Sequence, residues 1–177
     1  MPDRAREAGP AVAPVSSITQ VNLRALPSVV CTAGIAVALS GCTVPSGGVL
    51  GFERLADGTV SAVVQMCKGG VDGVTIYVSD SDVLGEWEFD EHVTDEGSVP
   101  LGAGVEASID PAKEYSSYAW SDDNSWSAHG PGLTQADILA LPVGSVWAPA
   151  FDEDYSSRAY TRAEFDSIVD GYCADLV

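Results

Sequence analysis

Between Val49 and about His129, apolar and polar positions alternate in short runs separated by turn residues, as expected of strands with one buried face. In TVSAVVQMC, Val60, Ala62, Val64 and Met66 interleave with Thr59, Ser61 and Gln65. KGGVDG follows as a turn cluster. VTIYVSD places Val74, Ile76 and Val78 on one face and Thr75 and Tyr77 on the other. GEWEFDEH turns Trp87 and Phe89 inward and Glu86, Glu88 and Asp90 outward. YSSYAW and SWSAH flank the turn SDDN, the pattern of a hairpin. Strands recurring at roughly 10–15 residue intervals predict a β-sandwich of immunoglobulin or fibronectin-III type.

The last third changes period. Thr134 is placed to cap a helix, with Asp137 reaching back in a capping box and Leu133 stapled to Ile138. That helix has to stop by Leu141, before Pro142. VGSVWAPAF returns as a strand. Thr161 and Glu164 form a second capping box, with Tyr160 and Phe165 as its staple. Phe165, Ile168, Val169 and Tyr172 then follow the spacing of a buried helical stripe. The expected class is mainly β with one or two C-terminal helices, α+β overall.

Composition adds a constraint on partners. The 177 residues include 26 Asp+Glu against 8 Lys+Arg, a formal charge of -18, while 46% of positions are hydrophobic. Enough apolar side chains are present for a folded core, so polyanionic disorder is excluded. The charge repels phosphate backbones and anionic headgroups, which argues against nucleic acid as a partner.

One segment escapes that acidity. From Ala25 to Phe52 no residue is charged. Arg24 precedes ALPSVVCTAGIAVA, about fourteen apolar or small residues, the length of a secretory h-region and short of the roughly 20 needed to span a bilayer. Then come Leu39, Ser40, Gly41 and Cys42. This run resembles the lipobox of bacterial lipoproteins. The resemblance implies cleavage between Gly41 and Cys42, diacylation of the Cys42 sulfur, and a protein held by lipid on the outer face of the cell membrane. Two acyl chains anchor far better than one, at about 0.8 kcal/mol per buried CH₂. An uncleaved signal anchor over about 25–44 is the alternative, with the same outward topology. Val21, if read from a GTG codon, is a candidate start that would give the signal an ordinary length. The expected organisation is a signal peptide over 1–41, a flexible tether over 42–48 (CTVPSGG) and one acidic β-rich domain over 49–177.

If cleavage removes Cys31 and lipid takes Cys42, Cys67 and Cys173 remain to form one disulfide; without processing, four cysteines allow three pairings. The processed chain carries 24 acidic and 5 basic residues.

Chemistry-bearing motifs are few. The two histidines are His92 and His129, and no nucleophile elbow, His-Glu-x-x-His helix or phosphate-binding glycine loop occurs. No catalytic residue is assigned. Asp80 to Glu91 partly matches a calcium loop, with acids at its first, third and twelfth positions and Gly85 at the sixth. Leu84 at the fifth position and the strand alternation through Trp87 and Phe89 exclude an EF-hand. A looser calcium site at Asp80 and Asp82, of about 10⁻⁴–10⁻³ M affinity, stands against the plainer reading of a solvated acidic strand and turn. The turns at Asp122–Asn124 and Asp152–Asp154 carry that plainer reading too. Otherwise no cofactor is expected. Trp87, Trp120, Trp126 and Trp147, with Tyr115 and Tyr118, are candidates for a sugar-stacking platform, against the reading of core and cross-strand pairs. Trp120 and Trp126 flank one turn and are the foremost of these.

These features lead to an expectation of a non-catalytic binding or interaction module in the cell envelope, with an envelope protein or polysaccharide as partner. An enzyme of envelope polysaccharides using paired carboxylates is the alternative, and a calcium-dependent adhesion or scaffold module a third reading.

Overall fold

The computed structural model describes residues 44–151 and 156–176, all within the unit Gly41–Val177. The expected signal segment, Cys42 with its cleavage site, and the acidic turn Asp152–Asp154 lie outside the described residues. In chain order the elements are β1 (Ser46–Arg54), β2 (Val60–Met66), β3 (Val71–Ser79), β4 (Asp82–Val93), β5 (Glu96–Pro100) and α1 (Val105–Ser108). They continue with β6 (Ser116–Trp120), β7 (Ser127–His129), α2 (Gln135–Ala140), β8 (Ser145–Pro149), β9 (Ser157–Thr161) and α3 (Arg162–Asp175). The fold is mainly β with α+β character, as the alternation and the capping boxes indicated.

Hydrogen bonding joins the nine strands in one sheet: β8 branches off β1 and pairs with β9, and the other seven follow the order β4-β3-β6-β7-β1-β2-β5. Its two ends, β4 and β5, are consecutive in the chain and joined through Thr94 and Asp95, so the sheet curls nearly into a barrel. Register shifts along the β3–β4 pair mark where the ladder bends. The interior takes the apolar set of each strand: Leu50 and Phe52, then Val60, Ala62, Val64 and Met66, then Val74 and Ile76, then Phe89 and Val93. Ala119 and Ala128 are the inward residues of β6 and β7. Trp87 and Trp147 pack against this core, and their indole N–H groups donate to the carbonyls of Leu101 and Gly132.

One expected boundary moves. Strand β1 starts at Ser46, inside the segment read from sequence as a flexible tether, and its first residues pair in parallel with β7. Gly47 and Gly48 serve close packing there. A Cβ on Gly47 would stand 2.1 Å from the Lys68 carbonyl oxygen and 2.8 Å from the Trp126 ring. Pro45 is fixed as well, its carbonyl accepting from the Ser127 N–H at 3.0 Å.

β2 departs from simple alternation because both its faces are covered. Val63 and Ser61, on the face opposite Val64, are 2% and 4% exposed. Val63 belongs to a second cluster with Val49, Val146, Ala148, Tyr160, Phe165 and Val169, contributed by β1, β8, β9 and α3. α2 and α3 start as expected: Thr134 with Asp137 and Thr161 with Glu164 each complete a capping box. α2 ends at Ala140, with Leu141 as its C-cap ahead of Pro142.

α3 is held to the sheet at both ends. Near its start, Arg162 pairs with Glu53 of β1 at 3.1 Å, Asp166 at 3.0 Å, and Glu96 of β5. Burial alone would lower the Arg162 pKa, but these carboxylates outweigh it and raise it, so the guanidinium stays charged. Near its end, Cys173 is bonded to Cys67, just past β2, closing a sequence separation of 106.

The Cys67→Ser, Cys173→Ser double variant is expected to lose up to about 4.7 kcal/mol of stability, the loop-closure entropy of a ring this size. Urea unfolding with and without reductant measures it, and reductant should bring the parent protein down to the variant. Gly47→Ala is expected to lower stability in the same assay by about 1–3 kcal/mol, the usual cost of overpacking. A free tether at Gly47 would leave the unfolding midpoint where it was.

Candidate functional site

Strand register sets the residues of the outer face side by side. Glu86 of β4 lies opposite Thr75 of β3, Thr75 opposite Tyr118 of β6, and Tyr118 opposite His129 of β7. The next row reads Glu88, Gly73, Trp120 and Ser127. Because Val74, Ala119 and Ala128 point into the core, these rows point out, and they carry aromatic and carboxylate groups across four strands.

Glycines let the aromatic rings lie flat on this surface. Trp120 rests over Gly73, where a Cβ would meet its ring at 2.4 Å, and Trp126 rests over Gly69, where a Cβ would meet it at 2.1 Å. Tyr118 is 39% exposed and meets Tyr77 edge to face, with ring centroids 5.6 Å apart. The Lys68 ammonium stands 5.9 Å from the centre of the Trp126 ring.

Two concavities on this face, together the groove, have Tyr118 as a common lining residue. The first, of about 520 Å³, is lined by Thr75, Tyr77, Ser79, Asp80, Val83, Glu86 and Tyr118. The second, of about 340 Å³, is lined by Val44, Ser46, Tyr118, Trp120, Asn124, Trp126, Ser127, Ala128 and His129. Both volumes suit a small ligand or a segment of a larger one. The exposed ring of Tyr118 and the half-buried rings beside it offer stacking, while hydroxyl, amide and carboxylate groups offer hydrogen bonds.

The turn that carries Trp126 is tied down by several bonds. The Ser121 hydroxyl donates to the Trp126 carbonyl at 3.0 Å and accepts from the Trp126 N–H at 3.1 Å. Asn124 takes a positive φ of 54°, which its short polar side chain tolerates. The Asp122 N–H donates to Asp72 Oδ2 at 2.8 Å, and Asp72 Oδ1 lies 2.7 Å from His92 Nδ1. The Asp122 N–H lowers the Asp72 pKa, burial partly opposes it, and His92 lowers it further.

The sequence candidates separate into groups. Trp120 and Trp126 share one concavity, and Tyr118 connects it to the next. Trp87, Trp147 and Tyr115 belong to the core instead. Asp80 lines the first concavity, whereas Asp82 turns to Lys113, with Oδ2 and Nζ 2.5 Å apart. Asp80 and Ser81 form the tight β3–β4 turn and β4 runs on from Asp82, so the stretch is hairpin and strand. No group of three or more metal-ligating side chains occurs among the described residues. Tyr77 and Glu86 join the groove without having been picked out as site residues. Their outward orientation was readable from the alternation, but their neighbours across the sheet were not.

Asp72 generates a pH prediction. Its folded pKa lies below the unfolded value, so its contribution is present above about pH 4 and is lost as pH falls through the lowered folded value. Asp72→Asn is expected to remove that contribution at neutral pH and give a shallower acid limb in urea midpoints measured between neutral and acid pH. No protein-family model matches the chain, nor does any curated protein or solved structure.

Proposed function

We propose that this chain is an exported lipoprotein, anchored through Cys42 on the outer face of the cell membrane, whose β domain is a non-catalytic binding module of the envelope. The observation that supports binding most directly is the groove lined by the exposed ring of Tyr118 and the half-buried rings of Tyr77, Trp120 and Trp126, on a disulfide-closed scaffold. Aromatic rings fixed before the ligand arrives lose little entropy on binding, the usual basis of a recognition surface. The module then works as immunoglobulin-type and fibronectin-III-type domains do, a stiff β framework presenting a surface, though its strands form one curled sheet. The mixture of aromatic faces with Ser79, Asp80 and Glu86 favours a hydroxyl-rich ligand, an envelope saccharide. Asp80 and Glu86 in one concavity are the feature on which the enzymatic alternative rests.

The full-length protein purified from a bacterial host tests this. Its intact mass is expected to begin at an acylated Cys42 and to rise by about two daltons on reduction of one disulfide. Fragments of envelope polysaccharide are expected to protect its tryptophans from acrylamide quenching. Tyr118→Ala should weaken that protection about tenfold or more, near 1.4 kcal/mol, with little change in melting temperature. An unmodified Cys42 would sink the anchor. Indifference of the fluorescence to every envelope fraction would sink the binding role, and release of new reducing ends would move the assignment to hydrolysis.

A further inference from the structure

We infer that the groove takes the neutral sugar headgroup of a glycolipid lying in the same membrane that holds the anchor. This rests on the reading of Cys42 as the acylated residue and of the groove as the binding surface. Val44 lines the concavity with Trp120 and Trp126 and is itself 39% exposed. Only Thr43 separates Val44 from Cys42, so even a fully extended chain allows a reach of about 7 Å between them. Slack is absent on the other side, because Pro45 is bonded to Ser127 and β1 begins at Ser46. Whatever the tilt of the domain, the Val44 end of the groove remains within that reach of the headgroup layer. A ligand in the same leaflet is therefore held at high effective concentration, without the cost of capture from solution.

Charge selects among headgroups. Asp122 and Asp123 sit exposed on the turn that carries Trp126, and Asp80 and Glu86 line the adjoining concavity. Lys68 alone, over the Trp126 ring, does not turn this end into a phosphate site. Carboxylates beside aromatic faces suit a neutral sugar, whose hydroxyls donate to the oxygens while its C–H face lies on the indole.

The test uses the mature protein, its acylation first verified by intact mass, in phosphatidylcholine nanodiscs. Discs containing digalactosyl- or diglucosyldiacylglycerol are compared with discs containing phosphatidylglycerol and with phosphatidylcholine alone. Either glycolipid is expected to shift the tryptophan emission to the blue and reduce acrylamide quenching at least twofold. Tyr118→Ala, which keeps all four tryptophans as reporters and should change the melting temperature little, is expected to lose that response. Phosphatidylglycerol should leave both readouts at the level of phosphatidylcholine alone, and the free disaccharides should act only at concentrations at least tenfold higher. An acylated protein unmoved by both glycolipids overturns the inference while leaving the anchor in place. An equal response to free disaccharide overturns the membrane source but keeps the saccharide site, and an unacylated Cys42 overturns the inference together with the anchor.

Discussion

Strand β1 is the constraint on which the rest of this fold depends. Along one edge it pairs over its length with β2, and along the other it is shared by β7 at its first half and β8 at its second. One strand therefore joins the curled sheet to the branch formed by β8, β9 and α3. The branching requires close approach: a Cβ on Gly51 would stand 2.6 Å from the Val146 side chain. It also requires burial on both faces, with Leu50 and Phe52 in the main core and Val49 in the second cluster. A strand covered on both sides reads as a near-continuous apolar run, which is why VLGFE lacks the clean alternation of its neighbours.

The second cluster gives α3 its place, and polar contacts lock it. Phe165 and Val169 enter the cluster, Arg162 ties the start of the helix to β1 and β5, and the disulfide ties its end to the segment after β2. The other basic residues of the described part of the chain are also engaged. Arg54 donates to the carbonyls of Leu139 and Leu141, Lys113 pairs with Asp82, Lys68 lies over Trp126, and Arg158 over Tyr160. With these cations used in this way, the remaining charge of the described surface is predominantly acidic.

Glycine and aromatic residues make the groove together. An open sheet surface loses packing wherever a glycine occurs, and a neighbouring ring laid across the gap restores it. Trp120 over Gly73 of β3 does so on the outer face, while Trp126 covers Gly69 in the turn between β2 and β3, and each contact holds its ring in one orientation. The rings proposed for recognition are thus also packed into the fold. Tyr118 differs in this respect: more of it is open to solvent, and its contact is with Tyr77.

The sequence by itself determined the local elements and which face of most strands is buried. Thr134 with Asp137 and Thr161 with Glu164 start helices through bonds a few residues apart, and Pro142 stops one through its own ring, so those boundaries were legible. The alternation of Phe89 with Glu88 and Asp90 records burial directly, whereas Thr75, between Glu86 and Tyr118 of the flanking strands, is buried along with Val74. Other features depended on partners distant in the chain. A period of two says which side a residue faces but not which strand lies beside it. The parallel β1–β7 pair, the joining of strands into one curled sheet, and the row Glu86, Thr75, Tyr118 and His129 therefore belong to the tertiary structure. Gly47 and Gly48 show the difference most clearly. In isolation they permit every conformation and read as a tether; in the fold, the Lys68 carbonyl and the side chain of Met66 leave room for nothing larger.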